Sequence, residues 1–366
     1  MQKNCLGYPV EIVEDAFGES STVADVLAKA CEGTDDPKVL IVADSNVVQR
    51  TEGLGSKIGR YVQEHGIRLA GSPVVFSGGE KLKTDGLQSV LKIVSAILEA
   101  KLGVNDCVLA IGGGSLLDVA GYAAAQTRGG VGVVRMPTTF AAMVDGAFAS
   151  YAAVDSLSVK DALRVPCAPK ATVIDPTFAR TVLDGVWRGG FGEAVRLAAV
   201  CDSALMKRVG KLAAQYRERD YGTMVELLQA AVATRMKKGG TPFALWLAMR
   251  LESMSGYKLP HGYAVAIAIC LECAYAVKKG YLKEAAKEAI CGPLAACGAL
   301  DGLAHSRYLM GQADSVLMGL DAWKLTTGSF EIALPAGLGK SVVEAEPDRA
   351  LYQEVMKEFL SVPIGS

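Results

Sequence analysis

The chain has 366 residues, a length typical of two domains, and 51% of its residues are hydrophobic. This much apolar surface excludes a mainly disordered protein. The 38 Lys and Arg residues balance 39 Asp and Glu residues, and the net charge of -1 excludes the strongly basic surface of a general nucleic-acid-binding protein. The N-terminus lacks the apolar segment of a signal peptide, and no charge-free apolar run reaches about 18 residues. We therefore expect a cytoplasmic protein without a membrane span.

The nine cysteines are an odd number, so they cannot all be paired in disulfides within one chain. A chain of this length needs no covalent cross-links, which favours a reducing compartment. Cys270 and Cys273 form a C-x-x-C motif in an apolar, helix-like run, and no second pair completes a zinc tetrad. We predict that both are buried core thiols, with redox or metal use as the alternative.

Strand-like and helix-like segments alternate over the first half of the chain. An amphipathic helix is predicted over Leu87–Leu102, where Gly103 provides a stop signal. Apolar, β-branched runs predict four buried strands, at Lys38–Asn46, Ser72–Glu80, Cys107–Ser115 and Gly130–Thr139. This alternation predicts a doubly wound parallel sheet, and hence an α/β, Rossmann-like N-terminal domain over residues 1–175.

The second half of the chain is predicted to be a mainly α-helical domain over residues 176–366, with Pro176 marking the boundary. Gly328–Ser341 is predicted to be a late hairpin or loop. Helical spacing of apolar residues predicts five helices, at Phe191–Tyr216, Gly222–Lys237, Phe243–Ser255, Ala264–Lys278 and Leu282–Ala296.

Three consecutive glycines, Gly112 to Gly114, lie between a predicted buried strand and a helix of small residues. Glycine allows the backbone to approach a pyrophosphate, and a helix N-terminus presents free N–H groups to an anion. The spacing is not the G-x-G-x-x-G dinucleotide fingerprint, and a glycine-rich turn without a ligand is the alternative. The strand–glycine–helix context favours phosphate binding.

Polar residues also follow the other three predicted strands. They are Asp44, then Glu80 with Lys83, and then Thr138 and Thr139 followed by Asp145. Ligands of doubly wound sheets bind beyond the carboxyl ends of the strands, where an acid can accept a hydrogen bond from a ribose hydroxyl. Each of these residues alone is more often a cap or turn residue. Together they favour a nucleotide site.

In their order along the chain, these motifs resemble those of the sugar-phosphate cyclases, the family of 3-dehydroquinate synthase, within a superfamily that includes iron-containing alcohol dehydrogenases. The resemblance extends through Lys160, Thr181, Glu193 and His261. It implies catalytic roles for Glu193, His261, Lys160 and Arg196. It implies NAD contacts from Asp44, Glu80, Lys83, Gly113, Gly114, Asp118, Thr138, Thr139, Asp145 and Thr181.

The chemistry that the resemblance implies starts with transient oxidation of a sugar-phosphate hydroxyl by bound NAD. Phosphate is then eliminated, the hydride returns, and the opened ring closes to a carbocycle. A divalent ion, Zn²⁺ or Co²⁺, polarises the hydroxyl that is oxidised. The resemblance also implies a homodimer or a complex with a paralogous cyclase subunit, and gives no reason to expect a nucleic-acid or membrane partner.

The sequence departs from the family pattern at the metal site, which the resemblance implies to be one Glu and two His. Glu193 and His261 match two of these ligands. Leu245 stands at the position of the other His ligand, and Met249 at that of a catalytic His. Glu252 and the run up to His261 keep the register. The sequence thus predicts an incomplete, degenerate metal site, and a hydrogen-bonded Glu193–His261 pair in acid–base work is an alternative.

Further departures lie at the cations expected to anchor the substrate. Tyr151 stands where the resemblance implies a Lys, Asp161 replaces an Asn after Lys160, and Arg196 replaces a Lys. A carboxylate at position 161 would repel an anionic substrate. The leading hypothesis is a divergent NAD-dependent cyclase with a changed substrate. A non-catalytic homologue or partner subunit, and a polyol-phosphate dehydrogenase of the iron-alcohol-dehydrogenase type, remain as alternatives.

Overall fold

The computed structural model describes residues 5–34, 36–85, 87–157, 159–301 and 303–361, which form two compact units. The first unit spans Leu6–Val182. The second begins at Leu183 and includes Cys5, whose backbone N–H donates to the Met236 carbonyl at 2.8 Å. The division lies after the predicted boundary at 175/176 because the 3₁₀ helix Pro176–Thr181 packs against an early helix, Ser45–Arg50, of the first unit.

A seven-stranded sheet forms the centre of the first unit, and each of its strand pairs runs parallel. In chain order its strands are β1 (Val10–Ile12), β2 (Lys38–Asp44), β3 (Arg68–Leu69), β4 (Val74–Phe76), β5 (Cys107–Gly112), β6 (Gly132–Pro137) and, after the hairpin β7 (Tyr151–Ser156)–β8 (Val159–Pro166), β9 (Ala171–Ile174). The spatial order is β1-β9-β6-β5-β2-β3, with β4 also paired to β2. This confirms the predicted doubly wound α/β architecture.

The helices of the first unit connect these parallel strands. They are α1 (Thr22–Ala30), α2 (Ser45–Arg50), α3 (Leu54–Glu64), α4 (Lys81–Thr84), α5 (Gln88–Glu99), α6 (Gly114–Gln126) and α7 (Phe140–Val144). The hairpin β7–β8 packs on α6, and the sequence patterns did not predict it. A Cβ on Gly121 would lie 3.0 Å from Cβ of Ala152 and 3.2 Å from Sγ of Cys167, so glycine is what allows α6 to approach the hairpin this closely.

The second unit is mainly helical, as predicted. Its helices are α8 (Asp184–Cys201), α9 (Ser203–Arg217), α10 (Tyr221–Lys238), α11 (Leu245–Met254), α12 (His261–Lys278), α13 (Glu284–Ala296), α14 (Leu303–Met310), α15 (Ala313–Thr327) and α16 (Arg349–Ser361). The segment Gly328–Ser341, predicted to be a late hairpin or loop, contains β10 (Ile332–Pro335) and the turn of a hairpin, whose second strand, β11 (Ser341–Glu344), extends past the predicted range.

One predicted helix of the second unit is corrected. Phe191–Tyr216 is not continuous, because α8 ends and α9 begins at Asp202. The backbone of Asp202 is extended, and its carboxylate accepts the N–H groups of Ala204 and Leu205 at 2.9 and 3.0 Å. Aspartate competes in this way for the backbone donors of a new helix, so a single residue separates two helices that have similar apolar spacing.

Helices α8 and α12 cross at a contact between two glycines. A Cβ on Gly262 would collide with the backbone of Gly189, and a Cβ on Gly189 would lie 3.2 Å from the Gly262 Cα. Because neither residue has a side chain, the first turn of α12 lies directly on α8. This contact brings His261, the first residue of α12, to Glu193 on the next turn of α8.

Helix α12 is also the most apolar long helix of the second unit. By length and composition it could cross a membrane, but 67% of the relevant window is buried inside the fold. The core helix of a soluble protein meets the same criteria, and the buried run from Ala264 to Cys273 gives α12 the character of a core helix.

Candidate active site

The strand ends that carry the predicted nucleotide-binding residues are neighbours in the sheet. Strands β4, β2, β5 and β6 are paired in that order. Asp44 at the end of β2 is in register with Phe76, and Gly112 at the end of β5 is in register with Pro137. The segments that follow these strands therefore leave the sheet at one edge.

Asp44 connects two of these segments. Its Oδ1 accepts the N–H of Asn46 at 2.8 Å, which caps α2, and the N–H of Gly78 at 3.1 Å. A Cβ on Gly78 would collide with the Asp44 carboxylate, so this approach requires glycine. The capping role that sequence analysis gave as the alternative is therefore observed, and a ribose contact of Asp44 remains a prediction.

The glycine cluster forms the N-terminus of α6. Gly113 is the extended N-cap and has no side chain to cap the helix. The N–H groups of Leu116 and Leu117 donate to the Gly113 carbonyl at 3.0 and 3.1 Å, so the donors that an anion could use are those at the very start of α6. A Cβ on Gly114 would meet no atom within 4 Å, whereas a Cβ on Gly146 would lie 3.5 Å from the Gly114 Cα. The short segment beginning at Asp145 thus lies beside the start of α6. A dinucleotide pyrophosphate fits this uncapped helix terminus.

The other predicted cofactor residues of this unit make local structural contacts. The Thr138 N–H donates to the Gly112 carbonyl at 3.0 Å, and the Thr139 hydroxyl caps α7 by accepting the Ala142 N–H at 3.3 Å. Thr181 ends the 3₁₀ helix that packs on α2, and its hydroxyl donates to the Phe178 carbonyl at 3.0 Å. The cofactor contacts of these threonines remain predictions.

Lys83 lies in a buried cluster of charges contributed by α4, α6 and the β7–β8 hairpin. Its Nζ is 2.9 Å from Asp118 and 2.6 Å from Asp161, and 4.0 Å from Asp155. Burial alone would lower the pKa of Lys83, but these carboxylates and Glu80 raise it well above its ordinary value. Lys83 is therefore a fixed cation whose charge is already balanced by this protein's own acids.

The position of Asp161 depends on an irregular stretch of the hairpin. The register of β7 and β8 shifts between Val154 and Ser156, and Asp161 has a φ of +52°. Its N–H donates to Asp155 Oδ1 at 2.8 Å, and its second oxygen is 3.4 Å from Arg164. Burial alone would raise the pKa of Asp161, but Lys83 lowers it, so the residue is a carboxylate.

Glu80 and Lys160 form a second ion pair beside this cluster. The other oxygen of Glu80 accepts the Ser115 hydroxyl at 2.7 Å, which connects α4 to the first turn of α6. Burial alone would raise the pKa of Glu80, but Lys160 and Lys83 lower it to about 2. The structure thus brings together a predicted cofactor residue and a predicted catalytic residue of the first unit.

The second unit holds the remaining catalytic candidates in a buried line of charges. Arg196 Nε is 2.7 Å from Glu193 Oε2, and Glu193 Oε1 is 3.0 Å from His261 Nε2. His261 Nδ1 is in turn 2.8 Å from Glu252 Oε1. Arg196 also donates to the carbonyls of Thr241 and Phe243. We refer to Arg196, Glu193, His261 and Glu252 as the charge line.

Positive and negative groups alternate along the charge line, so His261 lies between two carboxylates. Burial alone would lower the pKa of His261, but Glu252 and Glu193 raise it to about 10. Burial alone would raise the pKa of Glu193, but Arg196 and His261 lower it to about 2. His261 is therefore an imidazolium at neutral pH. Its side chain is 38% exposed, whereas the two carboxylates are buried, so His261 is the member that a ligand can reach.

The charge line brings together Glu193 and His261, two of the metal ligands that the resemblance implies. Glu193 Oε1 and His261 Nε2 face each other, and Glu252 orients the imidazole as an outer carboxylate does in metal sites. Over the described part of the chain, no group of three or more His, Cys, Asp or Glu residues could hold a metal ion. The incomplete metal site that sequence analysis predicts therefore remains a prediction, which metal binding to the purified protein would test.

The two positions at which the resemblance implies histidines lie on α11. Leu245, Met249 and Glu252 follow one another at helical spacing and share one stripe of that helix. Glu252 contacts His261, so Leu245 and Met249 lie on the same face of α11 as this member of the charge line. Sequence reasoning used Glu252 only to confirm the register and missed it as a partner of His261. A sequence signal for this contact was available, because Glu252 follows Met249 by three residues and so lies on the same face of the helix.

The comparisons with known proteins agree with this architecture. The family model described as 3-dehydroquinate synthase N-terminal matches residues 73–188. A 3-dehydroquinate synthase of Pyrobaculum aerophilum is 30% identical over 259 residues, which is 65% of this chain and 74% of that protein. A 3-dehydroquinate synthase of Rhodopseudomonas palustris strain TIE-1 is 26% identical over 97% of this chain and 94% of that protein.

Solved structures extend the similarity to the whole fold. ValA, a 2-epi-5-epi-valiolone synthase from Streptomyces hygroscopicus subsp. jinggangensis 5008 with bound NAD⁺ and Zn²⁺, has a TM-score of 0.81. The alignment covers 96% of each chain at 23% sequence identity. At this sequence identity the similarity to ValA shows the fold alone. The family is shown by the sequence similarity to the 3-dehydroquinate synthases.

Proposed function

The chain belongs to the sugar-phosphate cyclase family that includes 3-dehydroquinate synthase, and from this membership we propose that it is an NAD-dependent cyclase with a changed substrate and no catalytic metal ion. Two parts of the proposal need separate support, namely the cofactor and the chemistry at the charge line. The uncapped N-terminus of α6 supports the cofactor. The pairing of Glu193 with Arg196 supports the departure from metal chemistry, as does the apolar residue Leu245.

NAD would lie at the strand ends of the first unit. Gly113 and Gly114 would face its pyrophosphate, because this helix terminus has no side-chain cap and a Cβ on Gly114 would meet no atom within 4 Å. Asp44 would accept from a ribose hydroxyl with the oxygen that does not cap α2. When bound, NAD supplies a hydride acceptor for transient oxidation of an alcohol.

The observation that carries the metal-free proposal is the pairing of Glu193 with both Arg196 and His261. A metal ion held by both Glu193 and His261 would lie between their side chains. In this proposal a proton on His261 Nε2 lies there instead. Both of its N–H groups face carboxylates, but because the imidazolium is partly exposed, it can place positive charge beside a substrate oxygen. With a pKa of about 10, His261 serves at neutral pH as an acid or as a fixed charge, and not as a base.

The proposed substrate is a sugar phosphate or related polyol that carries less negative charge than a family substrate. Lys83 and Lys160 are already paired with carboxylates, and Asp161 adds negative charge beside them.

We expect the protein to act as a homodimer, which light scattering of the purified protein would test. The cytoplasmic location also remains a prediction.

Chelator-treated protein provides the direct test. We expect NAD⁺ to bind in isothermal titration, and added Zn²⁺ or Co²⁺ to produce no stoichiometric binding heat. With sugar phosphates, a cyclase releases inorganic phosphate without accumulating NADH, whereas a polyol-phosphate dehydrogenase accumulates NADH. Failure to bind NAD⁺ would overturn the cofactor half of the proposal. Phosphate release that requires added metal would overturn the other half.

A further inference from the structure

Three of the nine cysteines lie together where α12 packs against α13. Cys270 and Cys273 are three residues apart and project from neighbouring positions of α12. Both thiols make side-chain hydrogen bonds to the Cys291 sulfur, on α13. We refer to Cys270, Cys273 and Cys291 as the thiol cluster. It takes no part in the proposed cyclase chemistry.

The three thiols differ in how well solvent reaches them. Cys273 is fully buried and Cys270 is 8% exposed, whereas Cys291 is partly exposed. The structure thus confirms that the two cysteines of the C-x-x-C motif are buried. A small oxidant would reach Cys291 first and would find Cys270, the less buried of the two α12 thiols, beside it.

The surroundings of Cys291 favour the reactive thiolate. Hydrogen bonds from Cys270 and Cys273 lower the pKa of Cys291 well below its ordinary value, and Lys287, one turn earlier on α13, lowers it further. Glu284 opposes this effect and is itself paired with Lys287 at 2.5 Å. The thiolate is the nucleophilic form of cysteine, so Cys291 combines access with reactivity.

The backbone that follows Cys291 is suited to a small rearrangement. Gly292 and Pro293 are the next two residues, and Pro293 lies inside α13. Proline provides no N–H for the helical ladder, and a Cβ on Gly292 would meet no atom within 4 Å. A disulfide requires a narrow range of Cα separations, so a locally weakened helix can adjust to it more readily than a regular one.

We propose that Cys291 is a peroxide-sensitive thiol that forms a reversible disulfide with Cys270 and thereby cross-links α13 to α12. The Cys291 thiolate attacks one oxygen of a hydroperoxide; the S–O bond forms, the O–O bond breaks, and the leaving oxygen is protonated. Cys270 then attacks the sulfenic sulfur; the S–S bond forms, the S–O bond breaks, and the Cys270 proton leaves with hydroxide as water. With hydrogen peroxide, two thiols and one peroxide give one disulfide and two waters.

Mass spectrometry of the full-length protein tests this assignment. The protein is treated with one equivalent of hydrogen peroxide, free thiols are blocked with iodoacetamide, and the denatured chain is digested with chymotrypsin without reduction. Cleavage after Leu271 separates Cys270 from Cys273, and cleavage after Leu294 separates Cys291 from Cys297. We expect a Cys270–Cys291 cross-linked peptide, two hydrogens lighter than the sum of its parts, that dithiothreitol converts back to thiols.

Three variants make the test specific. Cys291→Ser and Cys270→Ser should each abolish the cross-link, whereas Cys297→Ser, which alters a buried thiol of the same helix region, should leave it intact. Cys291 should also react roughly tenfold faster with peroxide than the partly exposed Cys201, whose pKa is raised by burial. A cross-link through Cys273, or oxidation of Cys5 or Cys201 while Cys291 stays alkylatable, would overturn the proposal.

Discussion

Nε2 of His261 lies 3.0 Å from Oε1 of Glu193, at a crossing of α8 and α12 where two glycines are in contact. The separation suits a proton shared between the two groups, and it also suits two ligands of one ion. Two neighbouring residues are the reason why we propose the shared proton. Leu245 provides no third donor, and Arg196 holds the second Glu193 oxygen.

Supplying the missing donor should convert the charge line into a metal site. We predict that Leu245→His raises the affinity of the chelator-treated protein for Co²⁺ at least about tenfold, because a third ligand joins Glu193 and His261. The visible spectrum of bound Co²⁺ is the measurement. Met254→His is the matched control, since it adds a histidine on the opposite face of α11. Equal Co²⁺ binding by both variants would show that the stripe through Leu245 does not lead to the site.

Replacing Arg196 should destabilise the second unit. In Arg196→Met the Glu193 carboxylate stays buried and loses its closest cation, so we expect a loss of about 3–5 kcal/mol in the free energy of unfolding. Urea denaturation measures this loss. Arg188→Met is the control, because its pair with Asp301 is partly exposed and should contribute less than about 1 kcal/mol. Similar losses in the two variants would mean that the buried pair of Arg196 and Glu193 stabilises the fold no more than a partly exposed pair does.

Gly114 provides a test of the nucleotide site that does not depend on folding. A Cβ at this position meets no protein atom within 4 Å, so Gly114→Ala should keep the wild-type stability. We expect NAD⁺ affinity to fall at least about tenfold, because the new methyl group occupies the approach to the helix N-terminus. Isothermal titration and thermal melting give the two readouts. Gly59→Ala, in the exposed middle of α3, should bind NAD⁺ normally and gain about 0.5–1 kcal/mol of stability. Unchanged NAD⁺ affinity in Gly114→Ala would argue against this site.

Asp161 should control the preference for anionic ligands. Asp161→Asn removes one of the carboxylates on Lys83 and keeps the fold, because asparagine tolerates a φ of +52°. We predict that it binds inorganic phosphate and sugar phosphates at least about fivefold more tightly, with greater sensitivity to salt. Asp15→Asn is a close control: Asp15 has a φ of +55° and is paired with Lys57 at the surface. Equal phosphate binding by Asp161→Asn and the wild type would show that Asp161 does not control the preference for anionic ligands.

A buried acid outside the charge line should make stability depend on pH. Burial raises the pKa of Glu272 to about 8, although its oxygens accept the Ala244 N–H and the Trp246 indole N–H. Its folded pKa is above that of the unfolded chain, so its stabilising contribution is complete below about pH 4.5 and is lost as the pH rises through 8. We expect the free energy of unfolding to decrease over this window by an amount on the order of a few kcal/mol.

Glu272→Gln isolates that contribution. His261 has a raised pKa and acts in the same direction at higher pH, so the quantity to compare is the difference between wild type and variant at each pH. Urea denaturation between pH 5 and pH 9 should give a difference that changes steadily with pH. A constant difference would mean that Glu272 is ionised throughout and that its two hydrogen bonds outweigh its burial.

The sequence by itself determined the parts of the molecule that depend on local patterns. Apolar runs ending in glycine or polar residues gave the strands β2, β4, β5 and β6 and the position of the α6 N-terminus, because backbone burial and helix initiation are local properties. The order of the motifs then identified the family. The hairpin β7–β8 and the break at Asp202 lacked an equally clear local pattern, and both were missed.

Only the tertiary structure decided which charges meet. Asp161 reaches Lys83 across 78 positions of the chain because the hairpin packs on α6, and Glu252 reaches His261 because α11 packs on α12. These contacts set the ionisation state of the side chains. In an unfolded chain His261 would be mostly neutral at pH 7, whereas in the fold it is an imidazolium between two buried carboxylates. Sequence pattern places donors along a chain, whereas electrostatic state depends on distances of a few ångströms that long-range packing alone sets.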